Sequence, residues 1–148
     1  MRRPKTQGVY VLVIFIEEPR MIKVGSLGNL MFENGIYAYV GSAQNSLEKR
    51  VLRHLNRGKK IFWHIDYLLN NEHVKIINVL YKIAPKCEEC RIAEIMSGVY
   101  RPVQGFGSSD CNCKSHLFNI NGYESFKMLM KKNNFTEFPI IGGKVNHY

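Results

Sequence analysis

The stretch Gly8–Ile16, GVYVLVIFI, constrains the fold more than any other segment. It is β-branched and aromatic, carries no charge, and lies between a glycine and Glu17-Glu18-Pro19. A strand with one wet face would alternate apolar and polar residues; an unbroken run of this length reads as a strand buried on both faces. It falls far short of the roughly 20 residues needed to span a bilayer. Acidic residues rather than a small-residue cleavage site follow it, so no export signal is expected and the cytoplasm is the default compartment. The 148 residues are enough for one domain over 1–148. A chain of that size buries about two thirds of its unfolded surface.

The rest of the chain supplies partners for that strand. A turn at 17–20 leads to MIKVGS (21–26), expected to hairpin onto the first strand, and SLGNLMFENG then reads as a polar, glycine-punctuated connection. GIYAYVGSA (35–43) is the next strand, with Tyr37 and Tyr39 on one face because side chains two apart share a face. Asn45 is placed to cap a helix running to about residue 57, with Glu48 three residues on and Gly58 as the stop. Further helices are expected over 61–70, 88–96 and 123–132, a strand over 73–83, and a glycine-serine turn followed by a strand within GFGSSDCNCKSHLF. The expected class is α/β in the α+β sense: a small, mainly antiparallel sheet flanked by helices.

A formal net charge of +9 and a pI near 9.5 make polyanions the leading partner class, with 45% hydrophobic and 22% charged residues marking a globular chain. At 100° per residue the first helix places Leu47, Val51 and Leu55 on one face and Lys49, Arg50, Arg53 and Arg57 on the other, with Lys59 and Lys60 just beyond. A solvated charged face is the bland explanation; a stripe of one sign is what phosphate neutralisation requires.

YVGSAQNSLEKRVLRHL (39–55) resembles the second half of the GIY-YIG nuclease signature, in which a Tyr-Ile/Val-Gly strand leads to a helix carrying an arginine and often an Arg-His pair. Arg50 and Arg53-His54 match it. The heptad GIYAYVG also contains a Gly-Ile-Tyr, but one intervening residue leaves no room for a separate strand, and Gly8-Val9-Tyr10 fits as the first half. The ordered phrases GVY, GIYAYVGSA, KRVLRHL, WHIDYLL, EC and FGSSDCNCKSHLF are similar to a prokaryotic branch of that superfamily sometimes fused to endonuclease III. The resemblance implies hydrolysis of DNA phosphodiesters, in repair or recombination, with one Mg²⁺ or Mn²⁺ ion. It gives Tyr10 the role of general base with Tyr39 as its partner, Arg50 that of phosphate clamp, and His54 or His64 an auxiliary contact. The basic residues Lys49, Arg53, Arg57, Lys59 and Lys60 would then follow a nucleic-acid backbone, DNA in preference to RNA. Among Glu88, Glu89 and Glu94, helical periodicity sets Glu94 aside and leaves the other two; the Glu-Cys likeness selects Glu89 as metal ligand. Asn119 is a weaker candidate for the same site.

Cys87, Cys90, Cys111 and Cys113, or three of them with His116, offer a different centre, structural zinc, in a compartment where thiols stay reduced. Against it, a strand over 111–117 would turn His116 away from Cys111 and Cys113. GFGSS could offer amides to a phosphate, with Asp110 behind it. The rival to an enzyme is a non-catalytic nucleic-acid-binding module on the same fold. No membrane partner is expected, and nothing in the residues identifies a protein partner.

Overall fold

The computed structural model describes residues 6–56, 60–108, 111–141 and 144–145. Its centre is β1 (Gly8–Ile16), whose neighbours on either side are β4 (Gly35–Ala43) and β5 (Val74–Ile83), both antiparallel to it. Short strands complete a six-stranded sheet in the order β6 (Arg101–Pro102), β7 (Leu117–Ile120), β4, β1, β5, β8 (Thr136–Glu137), with every neighbouring pair antiparallel. Among the described residues four α-helices flank it: α1 (Leu47–Leu55), α2 (His64–Leu69), α3 (Cys87–Ser97) and α4 (Tyr123–Lys132). Among the described residues no helix is long and apolar enough to cross a membrane.

β1 is buried on both faces, as its composition requires. Tyr10, Leu12, Ile14 and Ile16 pack with Tyr37, Tyr39, Leu47, Val51, Ile65 and Leu68, so α1 and α2 cover one face. Val9, Val11 and Val13 pack with Val40, Ile92, Ala93, Met96, Phe126 and Met130, so α3 and α4 cover the other. Full burial of each aliphatic side chain contributes about 1.5–3 kcal/mol, which favours the sandwiched position over any edge.

Three local expectations are corrected. The segment after β1 does not hairpin onto it, because both edges of β1 are already taken. Instead β2 (Arg20–Lys23) pairs with β3 (Asn29–Phe32) as a separate two-stranded ribbon, with Ile22 and Phe32 turned into the first core. Ile16 lies opposite Gly35, so this ribbon is an insertion in the β1–β4 hairpin and accounts for the long interval between Tyr10 and Tyr39. The cap of α1 is Ser46, whose Oγ accepts from the Lys49 amide at 3.2 Å, rather than Asn45. The expected stop at Gly58 lies outside the described residues. The second helix starts only at His64, because the Asp66 carboxylate accepts from the amides of Phe62 (2.9 Å) and Trp63 (2.8 Å) and closes the helix there.

Candidate functional site

The antiparallel register sets Tyr10 of β1 directly across from Gly41 of β4. The phenol ring lies over that glycine: a Cβ on Gly41 would stand 2.4 Å from the Tyr10 hydroxyl oxygen. Any side chain there would expel the ring, so the glycine of Tyr39-Val40-Gly41 is required by contact. The Tyr10 hydroxyl meets Nε2 of His54, on α1, at 2.7 Å, and the Tyr39 ring stands edge-on to His54 with centroids 6.3 Å apart. At the end of β4, Ser42 joins the two helical layers. Its carbonyl accepts from Nη1 of Arg50 on α1 at 2.9 Å, and its Oγ donates to Oε1 of Glu89 on α3. Tyr10, Tyr39, Arg50, His54 and Glu89 are thus brought together at one end of the sheet.

Burial pushes both phenols up, Tyr10 and Tyr39 alike; Arg50 opposes the shift and the Glu89 charge adds to it. Both therefore stay protonated at neutral pH. Burial also disfavours the Glu89 carboxylate, yet its bonds to His116 and Ser42 outweigh that and hold it below its ordinary value. The rival carboxylates are accounted for: Glu88 pairs with Lys82 and Arg91, and Glu94 points to solvent.

Other candidates lie elsewhere. His64 accepts from the Gly107 amide at 2.9 Å through Nδ1 and packs on Phe106; burial lowers its pKa, which keeps it neutral. That bond uses the amide of the glycine-rich turn which could have served a phosphate. Tyr37 is on the Tyr39 face, but its hydroxyl donates to the Glu33 carbonyl at 2.9 Å, and Asn119 stands opposite it on β7. Tyr37, and Asn119 with it, belong to the far end of the strand. Ser109 and Asp110 lie outside the described residues.

The basic stripe divides. Lys49 and Lys60 are exposed, whereas Arg53 turns inward, bonding both Asp66 oxygens at 2.9 Å. Arg50 and Arg53 also stand over the Trp63 ring, at 4.5 and 4.3 Å. Arg57 and Lys59 lie outside the described residues. Beside the stripe is a groove of about 360 Å³ lined by Arg53, Lys60, Ile61, Phe62 and Trp63, with Phe62 77% exposed.

Next to Glu89 lies a second cluster. Donor atoms of Cys90, Cys111, Cys113 and His116 lie within 4.8 Å of one another, a set that could hold a metal ion. Cys87, exposed one turn earlier on α3, is outside it. The expected strand over 111–117 is corrected: β7 begins only at Leu117, and the irregular backbone before it frees Cys111, Cys113 and His116 from strand alternation, so they face one point. The spacing C-x-C-x2-H, joined to a helical cysteine, was the available signal, and it was masked by the assumed strand.

No curated protein and no solved structure matches the chain. A family model described as Domain of unknown function DUF123 matches residues 9–137, which take in all but the first residue of β1, β4, the helices α1–α4 and both side-chain clusters. The chain belongs to that family.

Proposed function

We propose that this protein is a GIY-YIG-type nuclease that hydrolyses DNA phosphodiesters, in repair or recombination. The observation that carries the reading is the register of β1 on β4: it lays Tyr10 of Gly8-Val9-Tyr10 over Gly41 of Tyr39-Val40-Gly41, at the point where Arg50, His54 and Glu89 arrive.

Hydrolysis needs a water to lose its proton as it attacks phosphorus, and positive charge on the phosphate as negative charge builds. Arg50 supplies the charge; its guanidinium has donors to spare after Ser42, in the planar fork that suits phosphate oxygens. A phenol held protonated is a poor base alone. The Tyr10–His54 contact removes that difficulty: the Tyr10 oxygen takes the proton of water as its own proton passes to Nε2 of His54. Tyr39 packs edge-on to His54 and holds its ring in place. Glu89 fits a hard divalent cation, since Mg²⁺ or Mn²⁺ takes one or two carboxylates and completes its shell with water and phosphate oxygens. When bound, such an ion neutralises the leaving oxygen. Lys49 and Lys60 supply exposed positive charge for the backbone, and the Phe62–Trp63 groove offers a stacking surface for a base.

A second reading, a binding module without turnover, is favoured by one observation, the burial of both tyrosines. Incubation with plasmid, branched and single-stranded DNA and with RNA, with and without Mg²⁺ or Mn²⁺, separates the two. The expected result is metal-dependent cutting of DNA that falls by about 10²-fold or more in Arg50→Ala and Glu89→Ala. Binding with no cutting under any condition selects the binding module, and cutting by Glu89→Ala equal to wild type overturns the catalytic role of Glu89.

A further inference from the structure

The Cys/His cluster stands apart from the catalytic reading in its chemistry. It offers three sulfurs and one nitrogen, a soft donor set that discriminates against Mg²⁺ and Mn²⁺ and suits zinc in a tetrahedral structural site. Zinc–sulfur bonds of about 2.3 Å place thiolates roughly 3.8 Å apart around the ion. The four donor atoms already lie within 4.8 Å of one another, so small side-chain rotations would seat them.

His116 provides a second, independent observation. The side chain is 1% exposed, and its Nδ1 faces two acceptors, Oε2 of Glu89 at 2.9 Å and the Val40 carbonyl at 3.1 Å. A nitrogen between two acceptors carries the proton. In the neutral ring Nε2 then has the lone pair, and Nε2 is the atom that faces the thiols, 3.3 Å from Sγ of Cys111. Histidines that bind metal are usually held this way, with the far N–H donated to a carboxylate.

The chain around the cluster also needs a fastening. Between β6 and β7, the described residues 103–108 and 111–116 contain no strand or helix. They are held at Phe106, whose carbonyl accepts from the His116 amide at 2.8 Å, and by the Gly105 amide on the Lys114 carbonyl at 2.9 Å. Cys111, Cys113 and His116 lie on this segment, and Cys90 lies on α3 across from it.

We propose that Cys90, Cys111, Cys113 and His116 hold one zinc ion that pins this segment to α3, and that Glu89 is the positioning residue for His116. The zinc, through the imidazole, then fixes where the Glu89 carboxylate sits. Only that last consequence rests on the nuclease reading; the ion-binding claim needs no nucleic acid to test.

The full chain, purified with reductant and with any affinity tag removed, is expected to carry one zinc per chain by elemental analysis. Cobalt replacing it should give the visible d–d and thiolate charge-transfer bands of a tetrahedral sulfur-rich site. Cys111→Ser and Cys113→Ser should lose the metal while Cys87→Ser keeps it. Because those variants risk misfolding, the wild type is also stripped with chelator, checked for retained circular dichroism, and reloaded. Glu89→Ala should bind zinc about 10–100-fold more weakly in chelator competition. In ¹⁵N NMR of the zinc form, His116 should show a protonated Nδ1 and a metal-bound Nε2. A wild type that neither contains nor takes up zinc or cobalt overturns the site, as does full metal retention in Cys111→Ser or a disulfide among the three cysteines after purification with reductant. Unchanged zinc affinity in Glu89→Ala overturns the positioning role. Loss of cleavage with zinc intact bears on the nuclease reading alone.

Discussion

At the scale of single residues, Gly41 shows how contact makes a motif. Its backbone lies within β4, with no unusual torsion, so conformational freedom is not what it contributes. The absence of a side chain is what admits the Tyr10 ring. Gly41→Ala is expected to cost about 1–3 kcal/mol by overpacking and to dislodge Tyr10 from His54. Gly98 makes a control, because it ends α3 in ordinary helical torsions and an added Cβ would meet only the Ile95 carbonyl at 3.5 Å. Thermal unfolding of the two variants checks this: Gly41→Ala should melt well below the wild type and Gly98→Ala close to it. Equal melting would mean that Tyr10 is not held by that contact.

At the scale of elements, α1 and α2 are joined by a charge pair. Asp66 is fully buried; burial opposes its charge, but the Arg53 fork and the amides of Trp63 and Phe62 outweigh this and hold its carboxyl below the ordinary value. An acid whose folded pKa is depressed contributes stability above its unfolded pKa and loses it as pH falls through the folded one. Asp66→Asn should therefore destabilise the protein at neutral pH by about 2 kcal/mol, less than for a fully buried pair since Arg53 stays partly in water. The gap from wild type should shrink as denaturation is repeated from about pH 7 to about pH 3. A gap independent of pH would show that charge is not the cause. This pair also marks the limit of what could be read from the sequence. Helical periodicity put Arg53 on an outward stripe, and nothing in the spacing said that Asp66, thirteen residues on, would draw it inward. The strands were legible where hydrophobic pattern decides them, as in β1, β4 and β5. The β2–β3 ribbon was misread because its pairing depends on β1 having no free edge, which is a tertiary fact. Likewise the Glu-Cys likeness singled out Glu89, whereas its bond to His116 depends on an irregular segment that no periodicity describes.

At the scale of the whole molecule, 21 basic against 12 acidic residues give a net positive field, of the kind that would draw in the nucleic acid proposed above. If four or so phosphates are neutralised, the logarithm of the DNA association constant should fall with that of salt at a slope of about −3 to −4. Lys60→Ala should flatten that slope by about one while leaving the fold intact. Arg53→Ala should instead lower the melting temperature, and a salt slope unchanged by Lys60→Ala would place the contact surface elsewhere. The position of β1 has a consequence of another kind. It is the earliest of the six sheet strands to leave the ribosome, yet it occupies an interior place between β4 and β5, and its pairing with β5 runs from Gly8 on Ile83 to Ile16 on Val74. Until synthesis has passed Ile83, the most water-averse segment of the chain lacks one of its two neighbours. Assembly must then wait on contacts distant in sequence, which slows folding and leaves a sticky edge open meanwhile. Nascent chains truncated before residue 74 would on this view depend on chaperones, and those extending past 83 would not.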